Sequence, residues 1–267
     1  DFDSARQHLE SANQAEPSNE RYASGLAELL TERFSQPQEA RLVLERLIAS
    51  APEKSVGYLV RGSWALRQAS KISDSSLSDE LLGEAWENAA KALELDANDP
   101  QTAILAADVA IARGQMDEAR AIVSKAIETT PTAAELYVRA AQIELREESS
   151  ELPAAKLQTA INWLKQGLQN TPGQRDLLWN LALCELDADN LSEVEQLAKE
   201  LRARQYPEPA VRFLEAKLLI SKRQWRQAAT LIEQLRAQLE RSDELLKQSD
   251  FLLALCYQNM GNPDQEL

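Results

Sequence analysis

Small and bulky apolar residues recur along this chain at spacings of four and three. At that interval side chains fall on one face of an α-helix. The sets Ala40/Leu44/Leu47, Ala85/Ala89/Ala92, Ala119/Val123/Ala126 and Ala160/Leu164/Gly167 share this form. Ala5/Leu9/Ala12 precedes them, and Val194/Ala198/Leu201 and Ala228/Ile232/Leu235 follow. Their first members are 35, 45, 34, 41, 34 and 34 residues apart. A proline stands five residues beyond the last member at Pro17, Pro52, Pro131 and Pro172. Proline cannot continue a helix, so each set predicts one amphipathic helix with a turn behind it. Few windows show the alternating β-branched or aromatic pattern of a strand. The pattern predicts an all-α chain built from a repeating unit.

A second helix per unit is marked by one small residue, reading Ala27, Gly62, Ala107, Ala141, Ala182, Ala216 and Ala254. Two helices that pack at about 8–10 Å need small side chains where they cross. Three passages add detail. Gly114-Gln115-Met116-Asp117-Glu118-Ala119 runs on to Ala126 and Pro131. Lys91-Ala92-Leu93-Glu94-Leu95-Asp96 precedes Asn98-Asp99-Pro100. Leu252-Leu253-Ala254-Leu255-Cys256-Tyr257 precedes Met260-Gly261-Asn262. Together they resemble the signature of the tetratricopeptide repeat (TPR), in which a W-x2-L-G-x2-Y helix is followed by an A-x3-F helix and a proline.

The resemblance covers essentially the whole chain. It implies an all-α TPR-type α-solenoid, a right-handed superhelix of antiparallel helix pairs. Residues 1–267 then form one continuous array cut from a longer protein. Full repeats span 20–54, 55–99, 100–133, 134–174, 175–208 and 209–246, with half repeats at 1–19 and 247–267. Neither end shows a polar capping helix. Arg61 and Glu215 depart from the family's leucine, and Ala97, Tyr206 and Glu240 replace the closing proline. Extra residues lie around Lys71–Glu80 and Glu147–Pro153. They read either as longer helices or tolerated loops, or as a functional edge, where repeat insertions often map.

Composition agrees with this picture. Of 267 residues, 44% are hydrophobic and 27% charged, with only 8 Gly and 10 Pro, so disorder is excluded and helix formers dominate. No apolar run approaches the roughly 18 residues of a membrane span, so this segment is not expected to insert into a bilayer. The formal net charge of −14 disfavours nucleic acid, because phosphate binding needs clustered Lys and Arg. One basic region, from Lys199 to Arg226, breaks the acidic background. It reads as solvated helix faces or as a contact for an acidic segment.

Catalytic chemistry finds little purchase. His8 is the only histidine and sits in a terminal helix. No phosphate loop, dinucleotide fingerprint, H-E-x-x-H or C-x-x-C is present, so no enzyme activity, cofactor or metal is expected. Cys184 and Cys256 share the tenth place of a first helix with Leu29, Trp64, Val109, Ile143 and Leu218, and read as buried apolar fillers.

The resemblance implies that the first helices line a concave face that binds a protein or peptide. The fifth place of these helices reads Ser24, Leu59, Ile104, Val138, Trp179 and Phe213, and the ninth reads Glu28, Ser63, Asp108, Gln142, Leu183 and Lys217. Arg139 and Asn180 stand at the sixth place. The candidate partner-binding residues are therefore Leu59, Ile104, Val138, Arg139, Gln142, Trp179, Asn180, Leu183, Phe213 and Lys217. An apolar stripe edged by polar groups suits a groove, and it equally suits ordinary core. One TPR subgroup grips a C-terminal carboxylate with Lys at the fifth place and Asn at the ninth, and no repeat here matches that pair. The function expected is a protein-interaction scaffold or adaptor. A self-assembly element, or the regulatory arm of an enzyme whose catalytic domain lies elsewhere, are the alternatives.

Overall fold

The computed structural model describes residues 1–146, 154–239 and 243–261. Among these, fourteen α-helices and no strands are found. They are α1 (Phe2–Ala15), α2 (Glu20–Phe34), α3 (Pro37–Ser50), α4 (Ser55–Ala69), α5 (Ser75–Leu95), α6 (Pro100–Ala112) and α7 (Met116–Thr129), then α8 (Ala134–Leu145), α9 (Ala154–Asn170), α10 (Arg175–Asp187), α11 (Leu191–Ala203), α12 (Glu208–Ser221), α13 (Trp225–Leu239) and α14 (Asp243–Met260). The chain divides into two compact units, Asp1–Pro131 and Thr132–Leu267.

Local signals set the helix ends. Asn19, Asp74 and Asp99 accept hydrogen bonds from backbone N–H groups of the first turn, and Pro37 and Pro100 occupy first helical positions where no N–H is needed. The α6–α7, α10–α11 and α12–α13 turns share one device. Gly114, Asp189 and Arg223 adopt left-handed φ of 76°, 59° and 57°. The next residue's N–H then returns to a carbonyl five residues back, as Gln115 to Ala110, Asn190 to Glu185 and Gln224 to Leu219. This closure satisfies carbonyls that the helix end would otherwise leave unpaired.

In the first unit α2/α3, α4/α5 and α6/α7 form hairpins, with α1 against α2; in the second, α8/α9, α10/α11 and α12/α13 do so, with α14 against α13. First helices also touch the next first helix: α2 meets α4 and α4 meets α6, while α8 meets α10 and α10 meets α12. Each unit thus has a layer of first helices backed by a layer of second helices.

The small residues sit where the crossing argument requires. Ala27, Ala107, Ala141, Ala182 and Ala216 are buried, as are Ala40, Ala85, Ala119, Ala160, Val194 and Ala228. Gly62 and Gly167 are buried with them. Ala5, Leu9 and Ala12 on α1 and Ala254 on α14 are only half-buried, because each lies on a helix that packs on one neighbour. Cys184 and Cys256 are buried free thiols, and His8 is exposed. Leu29 departs from the tenth-place expectation. It is half-buried, and Leu26 and Leu30 carry the α2 core instead.

The Lys71–Glu80 insert is mostly helix, and α5 is the longest helix described, at 21 residues. The Glu147–Pro153 insert lies outside the described residues, as does Glu240. The departures Arg61 and Glu215 have electrostatic reasons. Arg61 donates to Glu84 at 2.8 Å, and Arg41 holds the other Glu84 oxygen at 2.7 Å, so one carboxylate ties α3, α4 and α5 together. Glu215 accepts two bonds from Arg202, at 2.8 and 3.1 Å, which links α12 to α11.

Candidate functional site

The fifth-place residues of the first helices lie half-buried in both units. In the second unit they are Val138 on α8, Trp179 on α10 and Phe213 on α12, three neighbouring first helices. Beside each stands a fully buried core residue: Tyr137, Leu178 and Leu214. The stripe is therefore one helical step off the core, with part of each side chain reaching solvent. In the first unit Leu59 packs against the core cluster, and Ile104 on α6 is half-buried.

Trp179 carries the most distinctive geometry. Its ring stacks on Tyr206, with centroids 5.2 Å apart and planes inclined by 19°. Tyr206 lies in the connection from α11 to α12, at the place where the repeat usually closes with proline. A second tie joins the same segments: Arg175 donates to the Gln205 carbonyl at 3.3 Å. Burial raises the Tyr206 phenol above its ordinary pKa, Asp176 adds to that, and Arg175 pulls the other way. The stacked pair is a broad aromatic surface at the start of α10. Sequence reasoning singled out Trp179 and missed its partner; the aromatic in the proline place was the available signal.

The polar candidates surround this surface unevenly. Asn180 spends its side-chain N–H on the Asp176 carbonyl of its own helix, at 2.8 Å. Gln142 is exposed, and Arg139, Leu183 and Lys217 are half-buried. The basic region is largely neutralised. Arg202 pairs with Glu208 and Glu215, Arg204 with Glu200, and Lys222 with Glu195. Arg212 lies 3.9 Å from Glu208, and Lys199, Lys217, Arg223 and Arg226 have no ion pair among the described residues.

One further charged group was not anticipated. Glu185 on α10 is 1% exposed, and its carboxylate meets Lys165 of α9 at 2.7 Å and Asn190 at 2.6 Å. Both contacts are internal, so this cluster holds α9, α10 and the following turn together. No group of His, Cys, Asp and Glu among the described residues is arranged to hold a metal.

No family model matches the chain, and no curated protein matches it either. Solved structures do. A chain of the Cut9–Hcn1 hetero-tetramer of the APC/C superposes with a TM-score of 0.60 at 15% identity, covering 99% of this chain and 48% of that one. TTC0263, a thermophilic TPR protein of Thermus thermophilus, superposes with a TM-score of 0.53 at 19% identity, covering 69% of this chain and 91% of that one. The fold is that of a TPR solenoid. The human IFIT1 dimer, solved with PPP-AAAA, gives a TM-score of 0.53 at 16% identity, covering 99% of this chain and 66% of IFIT1. The chain thus spans less than two thirds of IFIT1 and about half of the Cut9–Hcn1 chain it matches. At such identities the likeness speaks for the TPR fold alone. Among the described residues, no helix is long and apolar enough to cross a membrane.

Proposed function

We propose that this chain is a protein-interaction module whose first-helix layer receives a partner segment. In the second unit Trp179 and Phe213 are the anchors, Val138 and Leu183 extend the apolar wall, and Arg139, Gln142, Asn180 and Lys217 supply polar contacts. In the first unit Leu59 and Ile104 take the corresponding places. The observation that carries this reading is the half-exposed Trp179, stacked on Tyr206 instead of sunk into the core. Aromatic anchors of this kind often dominate an interface, each costing at least ~2 kcal/mol of binding when truncated. The TPR neighbours support a scaffold in general. IFIT1 with PPP-AAAA shows that the fold also accommodates nucleic acid. Here the net charge of −14 and the internally paired basic region favour a protein or peptide. The absence of catalytic signatures in the sequence favours binding without turnover.

Trp179→Ala and Phe213→Ala test the proposal. If Trp179 were core, its truncation would cost about 3–5 kcal/mol of stability. As a half-exposed anchor it costs only about 1–2 kcal/mol, mostly from the lost stack and partial burial. Partners retained from native extract by the wild type are then lost by both variants while folding persists. A loss of core size, or unchanged partner retention by folded variants, would refute the anchor assignment.

A further inference from the structure

A second contact surface lies in the first unit, where the C-terminal halves of α2 and α4 meet the start of α5. A groove of ≈ 540 Å³ opens between the α2–α3 turn and the start of α5. That volume falls within the roughly 300–1,000 Å³ of sites that enclose a ligand group. Its floor is Trp64, only 3% exposed, whose indole N–H donates to the Thr31 hydroxyl at 3.1 Å; that hydroxyl in turn donates to the Ala27 carbonyl at 2.7 Å. The polar edge of the indole is thereby satisfied, and the small part of it that reaches the groove is apolar. Leu81 continues this surface on α5. At the lip stand Ile72 and Leu77, 37% and 51% exposed, two of the few large apolar residues left open to solvent. A concave apolar floor with exposed apolar lips marks a contact surface more than scattered exposure does.

The groove is a product of the Lys71–Glu80 insert. The α6–α7 hairpin turns within a few residues at Gly114. The α4–α5 hairpin instead adds residues that form the first turns of a lengthened α5 and place Leu77 above Trp64. Charge on the same insert is one-sided. Its single cation, Lys71, is bonded to Glu32, and the Arg41 guanidinium on the opposite wall is held by Glu84 at 2.7 Å. Of its carboxylates, Asp74 is spent capping α5 through the Ser76 and Leu77 N–H groups. Asp79 and Glu80 are exposed and make no ion pair among the described residues, and Glu80 lines the groove.

We propose that this groove docks a segment of a partner protein that carries a bulky apolar side chain next to lysine or arginine. The apolar side chain rests on Trp64 and Leu81 between Ile72 and Leu77, and the cation meets Asp79 and Glu80. Gln38 on the wall offers its amide to the segment's backbone, while the Gln68 side chain is engaged with Glu32. The groove lies in the first unit and Trp179 in the second, and the two sites share no residue.

The test uses two fluorescein-labelled decapeptides, one with a central Leu–Phe pair flanked by lysines and one with the same pair flanked by glutamates. Anisotropy should show saturable, salt-sensitive binding of the lysine peptide and at least about tenfold weaker binding of the glutamate peptide. Amide NMR shifts should concentrate at residues 31–41 and 64–81. Leu77→Ser, at an exposed position that leaves the fold intact by circular dichroism, should weaken the lysine peptide by about tenfold. Asp79→Lys with Glu80→Lys should reverse the preference between the two peptides. Four results would overturn the proposal. They are equal binding of both peptides, shifts elsewhere on the acidic surface, a charge-reversed double variant with unchanged preference, or a wild-type dimer that Leu77→Ser converts to monomer. The last would make the groove a contact between copies of this chain.

Discussion

Gly83 and Gly167 both sit inside helices, α5 and α9, and alanine at the two positions should act in opposite directions. Glycine in a helix interior is about 0.8–1 kcal/mol less favourable than alanine, because its backbone loses more freedom on folding. At Gly83 a Cβ would meet nothing within 4 Å. Gly83→Ala should therefore stabilise the first unit by up to about 1 kcal/mol. At Gly167 a Cβ would come to 2.9 Å from both Cβ and Cγ of Tyr137 and to 3.0 Å from Cδ1 of Leu177. The two Tyr137 atoms lie next to its backbone and cannot swing aside. The ring is fully buried, and its hydroxyl is held by Asn170 at 2.6 Å. Relief requires α8 and α9 to move apart, and overpacking of this kind costs about 1–3 kcal/mol. Set against the propensity gain, Gly167→Ala should destabilise the second unit by up to about 2 kcal/mol. Urea unfolding followed by circular dichroism would read both variants, with hydrogen exchange assigning each change to its unit, because repeat arrays need not unfold in one step. A Gly167→Ala variant as stabilised as Gly83→Ala would refute the close packing of α8 on α9. A destabilising Gly83→Ala would refute the open position on α5.

Further outcomes follow from the buried and paired groups. The Cys184 thiol is pushed up to about 12 by burial and then by Asp187 and Glu185. The unfolded chain releases this proton near pH 9 while the folded chain keeps it, so the stability contributed is complete below pH 9 and is lost as pH rises from 9 towards 12. Cys184→Ala should flatten that alkaline fall in urea midpoint, and thiol reagents should modify Cys184 and Cys256 only slowly in the native protein. Lys165→Met leaves the buried Glu185 carboxylate with Asn190 alone; because Lys165 is half-exposed, the loss should be about 1–3 kcal/mol, below the ~3–5 kcal/mol of a fully buried pair. Arg202→Gln, at a more exposed cluster with Glu208 and Glu215, should cost within about 1 kcal/mol and less still in high salt. A larger loss for Arg202→Gln than for Lys165→Met in thermal melts would reverse this reading of burial.

Much of the fold was legible in the chain itself. Helix periodicity is a local property carried by neighbours three and four residues apart, and a helix crossing demands small side chains wherever it falls. Ala27, Ala107, Ala182 and their second-helix counterparts therefore announced both the helices and the crossings before any contact was seen. The two cysteines, standing where other repeats place Trp64 or Val109, declared their burial in the same way. The Trp179 stripe was visible too, but its character was not, since the same spacing serves a core and a groove. The structure adds a contact that no helical spacing announces, to Tyr206, 27 residues further along and beyond the end of α11. The Arg41–Glu84–Arg61 tie, the Lys165–Glu185 pair and the groove over Trp64 are of this second kind. Each joins side chains from different helices whose meeting depends on crossing angle, turn length and the lengthening of α5. Periodicity within a helix determines which face turns inward; only the packing of one helix on the next decides which residues of those faces meet and how far each stays open to solvent.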